Sequence, residues 1–200
     1  MNIGIIGAGN VARGVTQLVT GNGHQVVLSN SHGPETLSTL VADLGTDVTA
    51  GTVADAAKED IVVLAVPWIA VPDAVAGLPA WKARIVIDAT NHWIRAGDKL
   101  ELADLGGRTS SEVVAGLLPG ARVVKAFNSL PVRILERDPR EGGGNRVLFV
   151  SGDDAAAKHE VQGLLEDLHF ATIDLGDLRT GGALQQAGGP LSGANLIRLP

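Results

Sequence analysis

Short apolar runs alternate along the whole chain with stretches whose apolar residues recur at helical spacing. Ile3 to Ile6 is the first such run, and behind it Val11, Val15, Leu18 and Val19 fall at i, i+4, i+7 and i+8, one face of a helix. Gly21 and Gly23 end that helix, and Gln25 to Leu28 reads as the next strand. Pro34 suits the first turn of a second helix, whose face is Leu37, Leu40, Val41 and Leu44. A weaker strand at Asp47 to Thr49 leads to a short helix over Thr52 to Lys58. Ile61 to Val66 is apolar throughout, the pattern of a strand covered on both faces. Further strands are predicted at Arg84 to Ile87, Arg122 to Ala126, Arg146 to Val150 and Phe170 to Asp174. Thr109-Ser110-Ser111-Glu112 has capping-box spacing before Val113, Val114, Leu117 and Leu118, and Val161, Leu164, Leu165 and Leu168 mark a later helix.

Strand and helix thus alternate about seven times, the order of an α/β protein built on a mainly parallel, doubly wound sheet. The 200 residues are read as one domain, with Thr180 to Pro200 too rich in glycine and too aperiodic to place. Gly142-Gly143-Gly144, after the charged stretch Glu136 to Glu141, reads as a mobile surface loop.

Composition narrows the function. Hydrophobic residues make up 45% and charged residues 19%, which is a folding chain and not a disordered one. The net charge of -6 and the lack of a basic cluster argue against nucleic acid as a partner, because phosphate neutralisation needs a positive face. With no cysteine, disulfides, thiolate metal sites and cysteine nucleophiles are excluded. No apolar run approaches the ~20 residues that span a bilayer, and Met1 leads almost at once into a strand. The expectation is a soluble cytoplasmic protein without a membrane partner.

Gly7-Ala8-Gly9-Asn10-Val11-Ala12 matches G-x-G-x-x-A between a strand and a helix, with a second strand about twenty residues on. Gly7 would make the tight turn, Gly9 would let the backbone approach a pyrophosphate, and Ala12 is small enough for helix to pack on strand. The helix end offers free N–H groups and a positive dipole to that pyrophosphate. A purely structural strand-to-helix turn is the alternative. NAD enzymes usually carry Asp or Glu at the end of the second strand. Here the chain has Ser29, Asn30, Ser31 and His32, small donors and a titratable cation, which favour NADP.

These features resemble the NADPH-dependent reductases of the deazaflavin coenzyme F420, the 8-hydroxy-5-deazaflavin:NADPH oxidoreductases, and more distantly the cytosolic domain of membrane metalloreductases. The resemblance rests on Ile3 to Asn10, Val26 to Ser31, Ala65-Val66-Pro67-Trp68, Val123 to Pro131, Gly152-Asp153-Asp154 and Asp174 to Leu178, in family order over nearly the whole chain. It implies a Rossmann-type dinucleotide-binding fold, often a homodimer, passing hydride directly between NADP(H) and a small-molecule redox ring. It also implies roles. Gly7, Ala8, Gly9, Asn10 and Val11 would hold the pyrophosphate, and Asn30, Ser31 and His32 would face the 2′-phosphate. Val66, Pro67, Trp68 and Asn91 would lie beside the nicotinamide half. Phe127, Asn128, Ser129, Leu130 and Pro131 would floor the place where the two rings meet, with His92 on the substrate side.

Two positions depart from the family. His32 stands where Arg is common, and histidine carries its charge only part of the time near neutrality, so NADPH affinity should rise as pH falls from about 8 to 6. Asn128 stands where characterised deazaflavin enzymes can carry His.

Hydride transfer between stacked rings needs orientation and exclusion of water more than an acid or base, so no catalytic side chain is expected. His24, His159 and His169 read as surface or structural. His92 follows a strand in Asn91-His92-Trp93 and should lie at the carboxyl edge of the sheet. Trp68 and Trp93 are candidates to wall an apolar pocket. Asp153-Asp154, at the start of a helix, suits capping better than a metal. Neither G-x-S-x-G nor a G-x-x-x-x-G-K-[ST] loop is present. Reduction of a flavin or of a small electrophile such as an imine, and a non-catalytic NADP-binding sensor or partner subunit, stay open as alternatives.

Overall fold

The apolar runs become the strands of one large sheet in the computed structural model, which describes residues 1–200. In chain order the strands are β1 (Asn2–Ile6), β2 (Gln25–Ser29), β3 (Val48–Ala50), β4 (Ile61–Leu64), β5 (Ile85–Asp88), β6 (Trp93–Ala96), β7 (Lys99–Leu102), β8 (Arg122–Lys125), β9 (Arg140–Glu141), β10 (Gly144–Gly152), β11 (Ala171–Asp174) and β12 (Ile197–Arg198). The helices are α1 (Asn10–Thr20), α2 (Ser38–Leu44), α3 (Val53–Ala56), α4 (Val71–Val75), α5 (Ser110–Leu117), α6 (Val132–Leu135), α7 (Ala155–Asp167) and α8 (Thr180–Gln185).

Across the sheet the strands run β11-β10-β8-β5-β4-β1-β2-β3. From β3 to β8 every pairing is parallel. The chain winds one way from β1 to β3 and the other way from β4 to β8, so the order reverses between β1 and β4. In open α/β sheets, ligands bind outside the carboxyl ends of the strands at such a reversal.

Alternate residues of each parallel strand supply two cores, as side chains on a pleat must. Ile3, Ile5, Ile61, Val63, Ile85 and Ile87 pack with α1 and α7 in the larger. Ile6, Val62, Leu64 and Val86 pack with α3, α4 and α5 in the smaller. Every residue of β4 and β5 is buried, which explains their unbroken apolar runs.

The sheet departs from pure parallel winding at β10. Its second half runs antiparallel to β8, with Ser151 opposite Lys125, and parallel to β11. Its first half pairs antiparallel with β9 and with β12. The guanidinium of Arg146 lies fully buried there and donates to Glu141 and Asn195.

The structure corrects several expectations. Of the three glycines read as a surface loop, Gly144 begins β10, and Gly142 and Gly143 make a tight two-residue turn between β9 and β10. Their φ values of 60° and 82° suit the mirror-image turn that matches strand twist. Pro34–Leu37 is a 3-10 turn that precedes α2, rather than the start of one long helix. The unplaced end of the chain contains α8 and β12, and β6 with β7 forms a separate hairpin. Asp154 caps α7 by accepting from Ala157 N at 2.7 Å, and Asp153 accepts from Leu178 N at 2.9 Å. Asp154 thus caps the helix as its place there led one to expect, whereas Asp153 does not cap α7 and instead holds the backbone ahead of α8. No helix is long and apolar enough to cross a membrane.

Candidate functional site

The turn after β1 occupies the reversal point. Gly7 has φ 121° and donates its N–H to Ser29 O at 3.0 Å. A Cβ on Gly7 would stand 2.2 Å from Ala65 O, so the turn needs glycine for both conformation and space. Gly9 is different. It is the N-cap of α1 with φ -78°, no side chain caps the helix, and a Cβ built there meets nothing within 4 Å. The first-turn N–H groups of α1 therefore face open space, and the empty position over Gly9 is a cradle that an anion fits.

That turn opens into a cleft of about 710 Å³. Of the expected residues, Gly7, Ala8, Gly9, Asn30, Ser31, His32, Val66 and Pro67 line it. Val53, Ala70, Asp73, Ala74 and Leu78 line it as well, and none of these was anticipated. Asn10 and Val11 lie on the first turn of α1 outside the lining. Asn30 is committed to its own loop: its Oδ1 accepts from His32 N at 2.9 Å and its Nδ2 donates to Thr36 Oγ1 at 2.9 Å. Ser31 and His32 are exposed, with Ser31 Oγ 3.3 Å from His32 Nδ1. They are the side-chain groups left at this end of the cleft for a 2′-phosphate.

Trp68 does not line the cleft. It flanks a neighbouring hollow of about 630 Å³ with Ile69, Ile94, Leu105, Arg108 and Leu117. Trp93 is absent from that wall because side chains alternate along β6, so its neighbour Ile94 points in while Trp93 is 41% exposed.

The carboxyl ends of β5 and β8 carry a buried polar cluster that the sequence reading missed. Asp88 and Lys125 are wholly buried, with Lys125 Nζ 3.1 Å from Asp88 Oδ2. Lys125 also donates to Thr90 O and to Ser110 Oγ, each at 3.1 Å. Asp88 accepts from Ser111 Oγ, from Thr90 Oγ1 at 2.6 Å and from Thr90 N at 2.9 Å. Burial alone would raise the Asp88 carboxyl, but the Lys125 ammonium and these hydrogen bonds outweigh it and hold it below the usual range. The one signal in the sequence was a charged residue ending each of two apolar strands.

This cluster anchors the loop that carries Asn91 and His92. Asn91 Nδ2 donates to Asn128 O at 2.8 Å, and its Oδ1 accepts from Asn128 Nδ2 at 3.2 Å and from Ala187 N at 2.9 Å. Asn128 Nδ2 also donates to Gln185 O, while Gln185 Nε2 donates to Asn128 Oδ1 and Lys125 O. The Asn128 amide is thus occupied in holding α8 to the sheet edge. His92 is buried and edge-on to Trp68, with ring centroids 6.2 Å apart and Nδ1 unpartnered. Burial, and then the positive field of Lys125, lower its pKa, so it stands neutral. Phe127 has φ 62°, a strained setting for a bulky residue, with its ring in the larger core. Asn128, Ser129 and Leu130 are buried beside it, and Pro131 is exposed.

Comparison with known proteins places the chain in a family. The family described as NADP oxidoreductase, coenzyme F420-dependent, matches residues 2–92, which hold the glycine turn, the cleft and the strands to β5. A protein of Arthrobacter sp. FB24, proposed to be an F420-dependent NADP reductase, has a similar structure at 30% identity and a TM-score of 0.79. The match covers 89% of this chain and 86% of that one. The hypothetical protein SMa0349 of Sinorhizobium meliloti is similar at 41% identity and a TM-score of 0.92, over 99% of this chain and 96% of its own. The metalloreductase STEAP3 of Rattus norvegicus is 31% identical over 182 residues, 88% of this chain. This chain spans about a third (34%) of the length of that metalloreductase.

Proposed function

Since the chain belongs to the family of coenzyme F420-dependent NADP oxidoreductases, we propose that it moves hydride between NADP(H) and the deazaflavin coenzyme F420 by direct ring-to-ring transfer. The observation that carries this reading is one cleft, at the reversal of strand order, joining an uncapped helix N-terminus to Ser31 and His32. When bound, NADPH supplies the hydride, and the chain supplies position. Gly7 to Gly9 and the first turn of α1 hold the pyrophosphate. Ser31 and His32 hold the 2′-phosphate, since no carboxylate stands at the end of β2 to claim a free ribose hydroxyl. Val66 and Pro67 form an apolar wall that keeps water from the nicotinamide face. The loop fixed by Asp88 and Lys125 presents Asn91 and His92 at the carboxyl edge, where the acceptor ring approaches. Rigid placement of this kind is what a hydride transfer without acid or base demands.

The test is an anaerobic mixture of protein, NADPH and oxidised F420, following loss of the deazaflavin visible absorbance, with NADH and FMN as substitutes in parallel. Bleaching of F420 with NADPH is the expected result. Bleaching of FMN in place of F420 moves the reaction to flavin reduction. Binding of NADPH with neither acceptor reduced removes the reductase reading.

A further inference from the structure

Asp73 lines the nucleotide cleft, is exposed, and its carboxylate has no partner in the protein. It lies in the first turn of the five-residue α4, caps no backbone N–H, and forms neither a hydrogen bond nor an ion pair. Around it Val53, Ala70, Ala74 and Leu78 give the cleft apolar walls. The other parts of the cleft are accounted for by the glycine turn at the pyrophosphate and by Ser31 and His32 at the adenosine ribose. The part of the cleft between α3 and α4, lined by these residues, is then the space left for the base of the dinucleotide. An apolar slot with a single acceptor at its edge is the complement of a flat base with a single exocyclic donor.

We propose that Asp73 reads the base of the dinucleotide by accepting a hydrogen bond from an exocyclic amine, which makes the cleft selective for adenine over bases with a carbonyl at that ring position. This rests on the reading of the cleft as an NADP site. An ionised carboxylate is an acceptor only, so it pairs with the amine of adenine and opposes the carbonyl oxygen of hypoxanthine. Two acceptors with no proton between them repel, and selectivity then comes from rejecting the wrong base as much as from holding the right one. On that reading Asp73 also sits in a cleft that receives phosphates, whose charge it opposes, and the lining holds neither Lys nor Arg. A carboxylate that served only the dipole of α4 would leave the choice of base untouched.

Binding measurements separate these roles. Titration calorimetry would compare NADPH with its reduced hypoxanthine counterpart on the wild-type chain, Asp73→Asn and Asp73→Ala. Thermal midpoints would confirm that each variant is folded, as expected for an exposed side chain. The wild type is expected to hold NADPH at least about tenfold more tightly than the hypoxanthine nucleotide. Asparagine can turn either its amine or its carbonyl to the base, so Asp73→Asn should bring the two affinities within about threefold. Asp73→Ala should lose the discrimination as well. A general release of phosphate repulsion would strengthen both nucleotides alike and leave their ratio unmoved. Equal affinities in the wild type, or a ratio unchanged by Asp73→Asn, would overturn the proposal while leaving the cofactor reading intact. Failure of both nucleotides to bind the wild type would overturn the cofactor reading and the proposal with it.

Discussion

Gly7 and Gly9 are neighbours in one motif and serve opposite needs. Gly7→Ala should cost stability, because the new Cβ meets Ala65 O in a conformation with positive φ, a strain of about 1–3 kcal/mol. Gly9→Ala should leave stability within about 0.5 kcal/mol while NADPH affinity falls at least tenfold, because its Cβ fills only the anion cradle. Urea unfolding beside a nucleotide titration distinguishes the two. On the proposed reading His32 holds the 2′-phosphate end of the cleft, so His32→Ala should weaken NADPH about tenfold while leaving NADH affinity and the urea midpoint little changed. Lys125→Met would leave Asp88 buried without its counter-ion and should destabilise the fold by about 3–5 kcal/mol in urea. Since Asp88 is held below the unfolded carboxylate range, its contribution is complete at neutral pH and is lost as pH falls below about 4.

Among elements, those set by local chemistry were the legible ones. The capping box before α5 is present in full: Thr109 Oγ1 accepts from Glu112 N at 3.2 Å, and Glu112 accepts from Thr109 N at 2.7 Å. Thr109 Oγ1 also donates to Leu178 O at 2.8 Å, so Thr109→Ala should cost the upper part of the usual 0.5–2 kcal/mol, about 1–2, as read from the unfolding midpoint. The β6–β7 hairpin was invisible for the opposite reason. Seven of its eight residues are exposed and only Ile94 is half-buried, so no alternation of buried and open positions announces it. The glycine turn and the Ser31–His32 end of the cleft were legible because each is a run of neighbours. Asp73, the Asp88–Lys125 pair and Gln185 were not, because each gains its meaning from residues far away in sequence.

At the scale of the molecule, the parallel half of the sheet carries the cleft, and β10, antiparallel to β8, begins the opposite side of the sheet. Arg146 in β10 shows how closely that edge is joined. Its guanidinium has no contact with solvent, its Nε lacks a partner, and Asn195 takes one of its remaining donors. Asn195→Ala should therefore destabilise the chain by about 1–3 kcal/mol without changing nucleotide affinity, a combination that equilibrium unfolding and titration would show together. The same edge orders events in time. β12 closes β10 with residues 197–198, some fifty positions downstream of its partners Asn145 and Arg146. During synthesis on the ribosome, β1 to β8 and their helices can assemble while β10 still waits for that closure. The emerging chain thus carries an open strand edge until residues 197–198 have been made, and a molecule halted short of them offers that edge to its neighbours.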